Sequence, residues 1–99
     1  MAERIRRSSG NVFKDLGFPP EEAAHLLIRT GLMLQIERIL KERGLTQAKA
    51  AVLLGVTQPR VSDIVRGRVD LFSIDSLVDL LARLGVSVTL RTSRSRKVA

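Results

Sequence analysis

Ninety-nine residues, 44% of them hydrophobic but only three aromatic, suffice for one small domain whose core must be built from Leu, Ile, Val and Ala. The absence of cysteine excludes disulfides and thiolate metal sites, and no apolar run approaches the roughly 18 residues of a membrane span, so a cytoplasmic protein is expected. Seventeen Lys and Arg against ten Asp and Glu leave +7, gathered in residues 1–18 (+2), 45–70 (+2) and 71–99 (+3) while 19–44 is neutral; a phosphate-binding surface requires such a pattern, and a merely soluble basic protein also permits it.

Residues 1–9 carry Arg4, Arg6 and Arg7 and almost nothing to bury. They read as a flexible basic arm, either solvated or following phosphates and a minor groove. In 10–18, Val12, Phe13, Leu16 and Phe18 are too apolar for a free tail and either dock on the helices or form a short strand near Asn11 to Phe13. Pro19-Pro20-Glu21-Glu22 opens a helix, with Pro20 at its first position and two acids at the positive end of its dipole. The helical spacing runs toward Gly44. Thr30-Gly31 interrupts it, which predicts one bent helix or two in line. The lone His25 is assigned no chemistry.

Residues 45–67, from Leu45-Thr46-Gln47 to Val65-Arg66-Gly67, have the pattern of a helix-turn-helix. Thr46 and Thr57 each suit an N-cap, and Gly55 suits the positive φ that closes the first helix. Pro59, as the second residue of the second helix, loses little by having no N–H, so the Thr57 cap must use the N–H of Arg60. Leu54, Val56, Val61 and Ile64 supply the apolar contacts, leaving Gln58, Pro59, Arg60, Ser62, Asp63 and Arg66 outward. In a major groove Gln58 is the first choice for a base contact, to adenine, against a phosphate contact; Arg60 reads guanine or grips the backbone. Asp63, repelled by phosphates on its own, either accepts from a cytosine amino group or, as preferred, pairs with Arg60 or Arg66, each three residues away.

Beyond Gly67, Phe72-Ser73 starts a further helix, with Ser73 as cap and Phe72 stapled to Leu77. Leu77, Leu80, Leu81 and Leu84 form one core stripe before Gly85. Val86 to Arg91 alternates apolar and polar and predicts a short C-terminal strand. It needs a partner: either Asn11 to Phe13 or, as favoured, the matching strand of a second subunit, with Val86, Val88 and Leu90 at a dimer interface. Residues 92–99 form a basic tail. Neither a nucleophile with its base, nor convergent carboxylates, nor a metal set, nor a phosphate-binding glycine loop is apparent, so no enzyme activity and no cofactor are expected.

Leu45-Thr46-Gln47, Ala51, Leu54-Gly55-Val56-Thr57-Gln58, Val61-Ser62 and Gly67 resemble the helix-turn-helix of Cro and lambda-repressor-like (XRE) regulators. Gly10-Asn11-Val12-Phe13, Asp15-Leu16-Gly17-Phe18, Gln58-Pro59-Arg60-Val61-Ser62-Asp63, Arg66-Gly67 and Phe72-Ser73 extend the likeness to the HigA-type antitoxin branch, over residues 10–91. The resemblance implies an all-α, lambda-repressor-like helical bundle. It also implies a homodimer on a palindromic operator of double-stranded DNA, with half-sites about 34 Å apart. Gln47 looks like the family's backbone-anchoring glutamine, and Ser62 and Arg66 are placed for phosphates. The candidate DNA-facing set is therefore Gln47, Thr57, Gln58, Pro59, Arg60, Ser62, Asp63 and Arg66. Pro59 departs from relatives with a polar reader there, so their base preferences do not transfer. The antitoxin branch implies autorepression and a co-encoded ribonuclease toxin as a further partner. The alternatives are a phage-type or housekeeping repressor without a toxin, or an interaction module that has lost DNA binding.

Overall fold

The computed structural model of the chain describes residues 10–94. Five α-helices and a 3-10 turn follow in order: α1 (Val12–Asp15), α2 (Pro20–Glu42), α3 (Gln47–Leu54), α4 (Gln58–Val65), the turn Val69–Leu71 and α5 (Ile74–Arg83). The fold is all-α.

Local chemistry accounts for most of these boundaries. Asn11 Oδ1 accepts from the N–H groups of Phe13 (3.0 Å) and Lys14 (3.2 Å), which starts α1 where a strand was one of two expectations. The same side chain donates through Nδ2 to the Ala23 carbonyl at 3.1 Å, tying α1 to α2. Phe13 and Phe18 meet edge to face with centroids 6.0 Å apart. The α2 helix begins at Pro20 and continues for 23 residues without a break at Thr30-Gly31. Its inward side, with Ala23, Met33, Ile36 and Leu40 buried, gives the later helices a common surface.

On that surface Ala50, Ala51 and Leu54 of α3, Val61 and Ile64 of α4, Phe72, and Leu77, Leu80, Leu81 and Leu84 at α5 close one core. Every buried residue among those described is apolar. The one buried polar side-chain atom without a partner among the described residues is the Thr30 hydroxyl oxygen of α2.

The expected strand at 86–91 is not formed, and no strand occurs among the described residues. The Val86 N–H donates to Leu81 O at 2.9 Å, which finishes the α5 terminus, and Val86 and Val88 pack on the core. Residues 11–13, one of its two candidate partners, are capped and helical. Within one chain the segment thus meets no strand edge to pair with. No helix among the described residues is long and apolar enough to cross a membrane.

Candidate nucleic-acid interface

Helices α3 and α4 are joined by Gly55, Val56 and Thr57 alone. Gly55 takes φ 71°, and its N–H and that of Val56 donate back to Val52 O (3.2 Å) and Ala51 O (3.0 Å), so α3 ends within one residue. Thr57 then starts α4, its Oγ1 accepting from Arg60 N–H at 3.3 Å. Thr46 opens α3 in the same way, accepting from Lys49 N–H at 3.1 Å. At the far end of α4, Gly67 (φ 74°) and Arg68 donate to Ile64 O and Asp63 O, both at 3.0 Å. Both ends of the second helix are fixed by bonds to its own backbone, so its direction follows from its seat on the core.

That seat is made by Val61 and Ile64, each 1% exposed. Four residues of the proposed set, Gln58, Pro59 and Arg66 on α4 and Gln47 on α3, are exposed, as is the capping Thr57. Ser62 and Asp63 are half-buried. Pro59 occupies the first turn of α4, where its ring fits and no hydrogen bond is lost.

Residues 12–93 match a protein family described as a helix-turn-helix domain. The chain belongs to this helix-turn-helix family. A solved structure described provisionally as an XRE family transcriptional regulator is similar to it at 26% identity and a TM-score of 0.70, over 79% of this chain and 88% of that one. Comparison with curated proteins finds no match.

Within this helix-turn-helix domain, two side chains depart from their expected places. The Arg60 guanidinium lies over the Phe72 ring, 3.8 Å from its centroid, and is half-buried there. Asp63 accordingly has no ion pair with Arg60, nor with Arg66, among the described residues; the ion pair near this loop joins Arg68 Nε to Asp70 Oδ1 at 3.6 Å, both side chains being well exposed. The expected pairing within α4 is replaced by an aromatic stack between elements.

Three further arginines serve the scaffold. Arg29 of α2 donates to Val69 O (3.3 Å) and Phe72 O (3.5 Å), holding the loop that follows α4. Arg43 donates to Leu84 O at 2.8 Å and satisfies the end of α5. The Arg83 guanidinium lies about 3.0 Å from where a Cβ on Gly55 would stand, packing α5 against the turn of the motif. Nothing in the sequence marks the first two, because their acceptors are backbone carbonyls about forty residues away. The cations exposed around the motif include Lys49, Arg66, Arg68 and Arg83, the last while resting against the Gly55 turn. Among the described residues, no group of three or more His, Cys, Asp or Glu is placed to hold a metal.

Proposed function

We propose that the chain is a sequence-specific DNA-binding transcriptional regulator that acts as a dimer, each α4 entering a major groove. The observation that carries this reading is the division of α4: Val61 and Ile64 are buried, while Gln58, Pro59 and Arg66 stand exposed on a helix capped at both ends. Val65, at its last position, is the one large apolar residue exposed on this helix, where a helix evolved only to dock on another protein would more often present several. The likeness to an XRE-type regulator supports the same reading.

In this assignment Gln58 contacts a base, Arg66 and Gln47 grip phosphates, and Pro59, Thr57, Ser62 and Asp63 line the approach. Arg60, held on Phe72, stiffens the helix start. Residues 10–91 form the binding unit, and residues 1–9 and 92–99 are basic extensions that track the backbone. The first of these, and 95–99 of the second, lie outside the described residues. A dimer across a promoter blocks polymerase in the cytoplasm.

The finer proposal is an autorepressing antitoxin, supported by the likeness of Gly10-Asn11-Val12-Phe13, Asp15-Leu16-Gly17-Phe18 and Phe72-Ser73 to the HigA branch. Co-expression with the product of the neighbouring reading frame tests it. Relief of a ribonuclease-dependent growth arrest is the expected result, and absence of any such toxin reduces the reading to a stand-alone repressor.

DNA binding itself is tested by titrating salt against a palindromic fragment of the chain's own promoter. Affinity should fall steeply with salt, with a slope near −0.9 per phosphate contacted. Indifference to both salt and sequence would remove the regulator reading and leave an interaction module.

A further inference from the structure

We infer that the outward face of α2 is the surface on which two copies of this chain meet, antiparallel, with the two-fold axis passing at Gly31. The need for a second copy rests on the dimeric reading above, but the surface is argued, and tested, without DNA.

Ala24, Leu27, Ile28, Gly31, Leu34 and Arg38 recur at spacings of three and four and share one stripe of α2, facing away from Met33, Ile36 and Leu40 except at its edge, where Leu34 also borders a groove with Phe13, Met33, Ile64 and Val69. On this stripe Leu27 is 41% exposed, Ile28 43% and Leu34 58%. A helix face that meets only water has no use for three large aliphatic side chains together. Gly31 is the second anomaly. It stands in the middle of a 23-residue helix, where glycine is the poorest former after proline. Its φ is not positive, and nothing lies within 4 Å of where a Cβ would stand. The single chain therefore gives no reason for glycine. A second helix crossing at that point does, since the missing Cβ lets two backbones approach closely.

The occupant is a second copy because the stripe complements itself when reversed. Counting outward from Gly31, Ile28 falls level with Leu34 of the second copy, Leu27 with its Gln35, and Ala24 with its Arg38. The C-terminal half of the face carries a shallow groove of about 290 Å³ lined by Leu34, Gln35, Glu37, Arg38 and Lys41. The N-terminal half carries the projecting Leu27 and Ile28. Reversal sets the projections of each copy into the groove of the other. Charge agrees: the first turn of α2 is acidic, through Glu21 and Glu22, and Arg38 lies over the small Ala24 of the second copy, about one turn (roughly 5.4 Å) from its Glu21. A parallel pairing would set Arg38 against Arg38. Antiparallel pairing about one point is also what a two-fold, isologous interface requires.

The test uses the full chain in the absence of DNA. Sedimentation across a concentration series should show a monomer–dimer equilibrium, and Leu34→Glu should raise its dissociation constant by at least about tenfold, as expected of a central interface side chain. Because Leu34 is exposed in the single chain, the circular dichroism of the variant should be unchanged. The protein has no cysteine, so a Gly31→Cys variant provides an independent reading: residue 31 faces its own copy across the axis, and mild oxidation should give a disulfide-linked dimer. Leu90→Cys should not cross-link. A chain monomeric at every concentration, or a dimer indifferent to Leu34→Glu, overturns the inference. Cross-linking through Leu90→Cys but not Gly31→Cys overturns it in favour of the C-terminal segment. A dimer at this face that ignores DNA would leave the inference standing and remove only the regulator reading.

Discussion

At Arg60 two chemistries compete for one guanidinium. In the proposed complex the third residue of α4 would reach either a guanine or a phosphate, yet the flat face of Phe72 lies 3.8 Å away and is itself 3% exposed. A partly desolvated cation–π contact contributes about 1 kcal/mol and leaves the group less free to reach outward. Arg60→Ala and Phe72→Leu should therefore be non-additive in a denaturation cycle, with a coupling of about 0.5–1 kcal/mol, while Arg60→Ala leaves the salt dependence of binding unaltered. Full additivity together with a shallower salt slope would mean that the guanidinium works on the nucleic acid instead. The exposed Gln58 and Arg66 should behave otherwise. Gln58→Ala is expected to flatten the preference among operators, a loss of about 1–3 kcal/mol on the preferred site only. Arg66→Ala should weaken all sequences alike and reduce the salt slope by about 1. Competition binding on several operators separates the two, and equal behaviour would contradict the assignment.

Two glycines show, at the level of the element, how the same substitution takes opposite signs. Gly55 closes α3 at φ 71°, and a Cβ there would meet the Arg83 guanidinium at 3.0 Å. Arg83 is a flexible side chain that can move away, but the backbone angle cannot be relieved. Gly55→Ala should thus cost about 1 kcal/mol or more in chemical denaturation and disturb the angle between α3 and α4. Gly31 lies in ordinary helix with open space around it. Gly31→Ala should stabilise the monomer by up to about 1 kcal/mol, measured at concentrations where dimer is negligible, and weaken self-association at higher ones. The caps belong to the same scale. Thr57 holds the Arg60 N–H, so Thr57→Ala should cost about 1 kcal/mol and fray the turn of α4 that carries Gln58 and Pro59.

For the whole molecule, an apolar core with no buried polar residue ties α4 to everything else. Leu77 is wholly buried, so Leu77→Ala should cost about 2–5 kcal/mol by thermal melting and weaken DNA binding through loss of fold. The chain's +7 lies partly against the scaffold: Arg29 and Arg60 are half-buried on carbonyls and a ring, while Arg43 and Arg83 touch the scaffold and stay exposed. Its contribution to binding should be read from the salt slope, which counts the cations that actually reach phosphates.

The sequence by itself determined where α2 begins and how α3, α4 and α5 are capped and ended; it left α1 and the continuity of α2 open. Thr46, Thr57 and Ser73 cap as expected, Gly55 takes its expected positive φ, and the stripe from Leu77 to Leu84 is buried, because each depends on groups within about one turn of chain. Only the tertiary structure decided what lies across the gaps. Arg60 meets Phe72 twelve residues on, Arg29 and Arg43 meet carbonyls about forty residues away, and residues 86–91 find no edge within their own chain once residues 11–13 have become helix. Local patterns carry no information about such partners, since a guanidinium or an alternating segment takes whatever acceptor or edge the packed helices bring within reach.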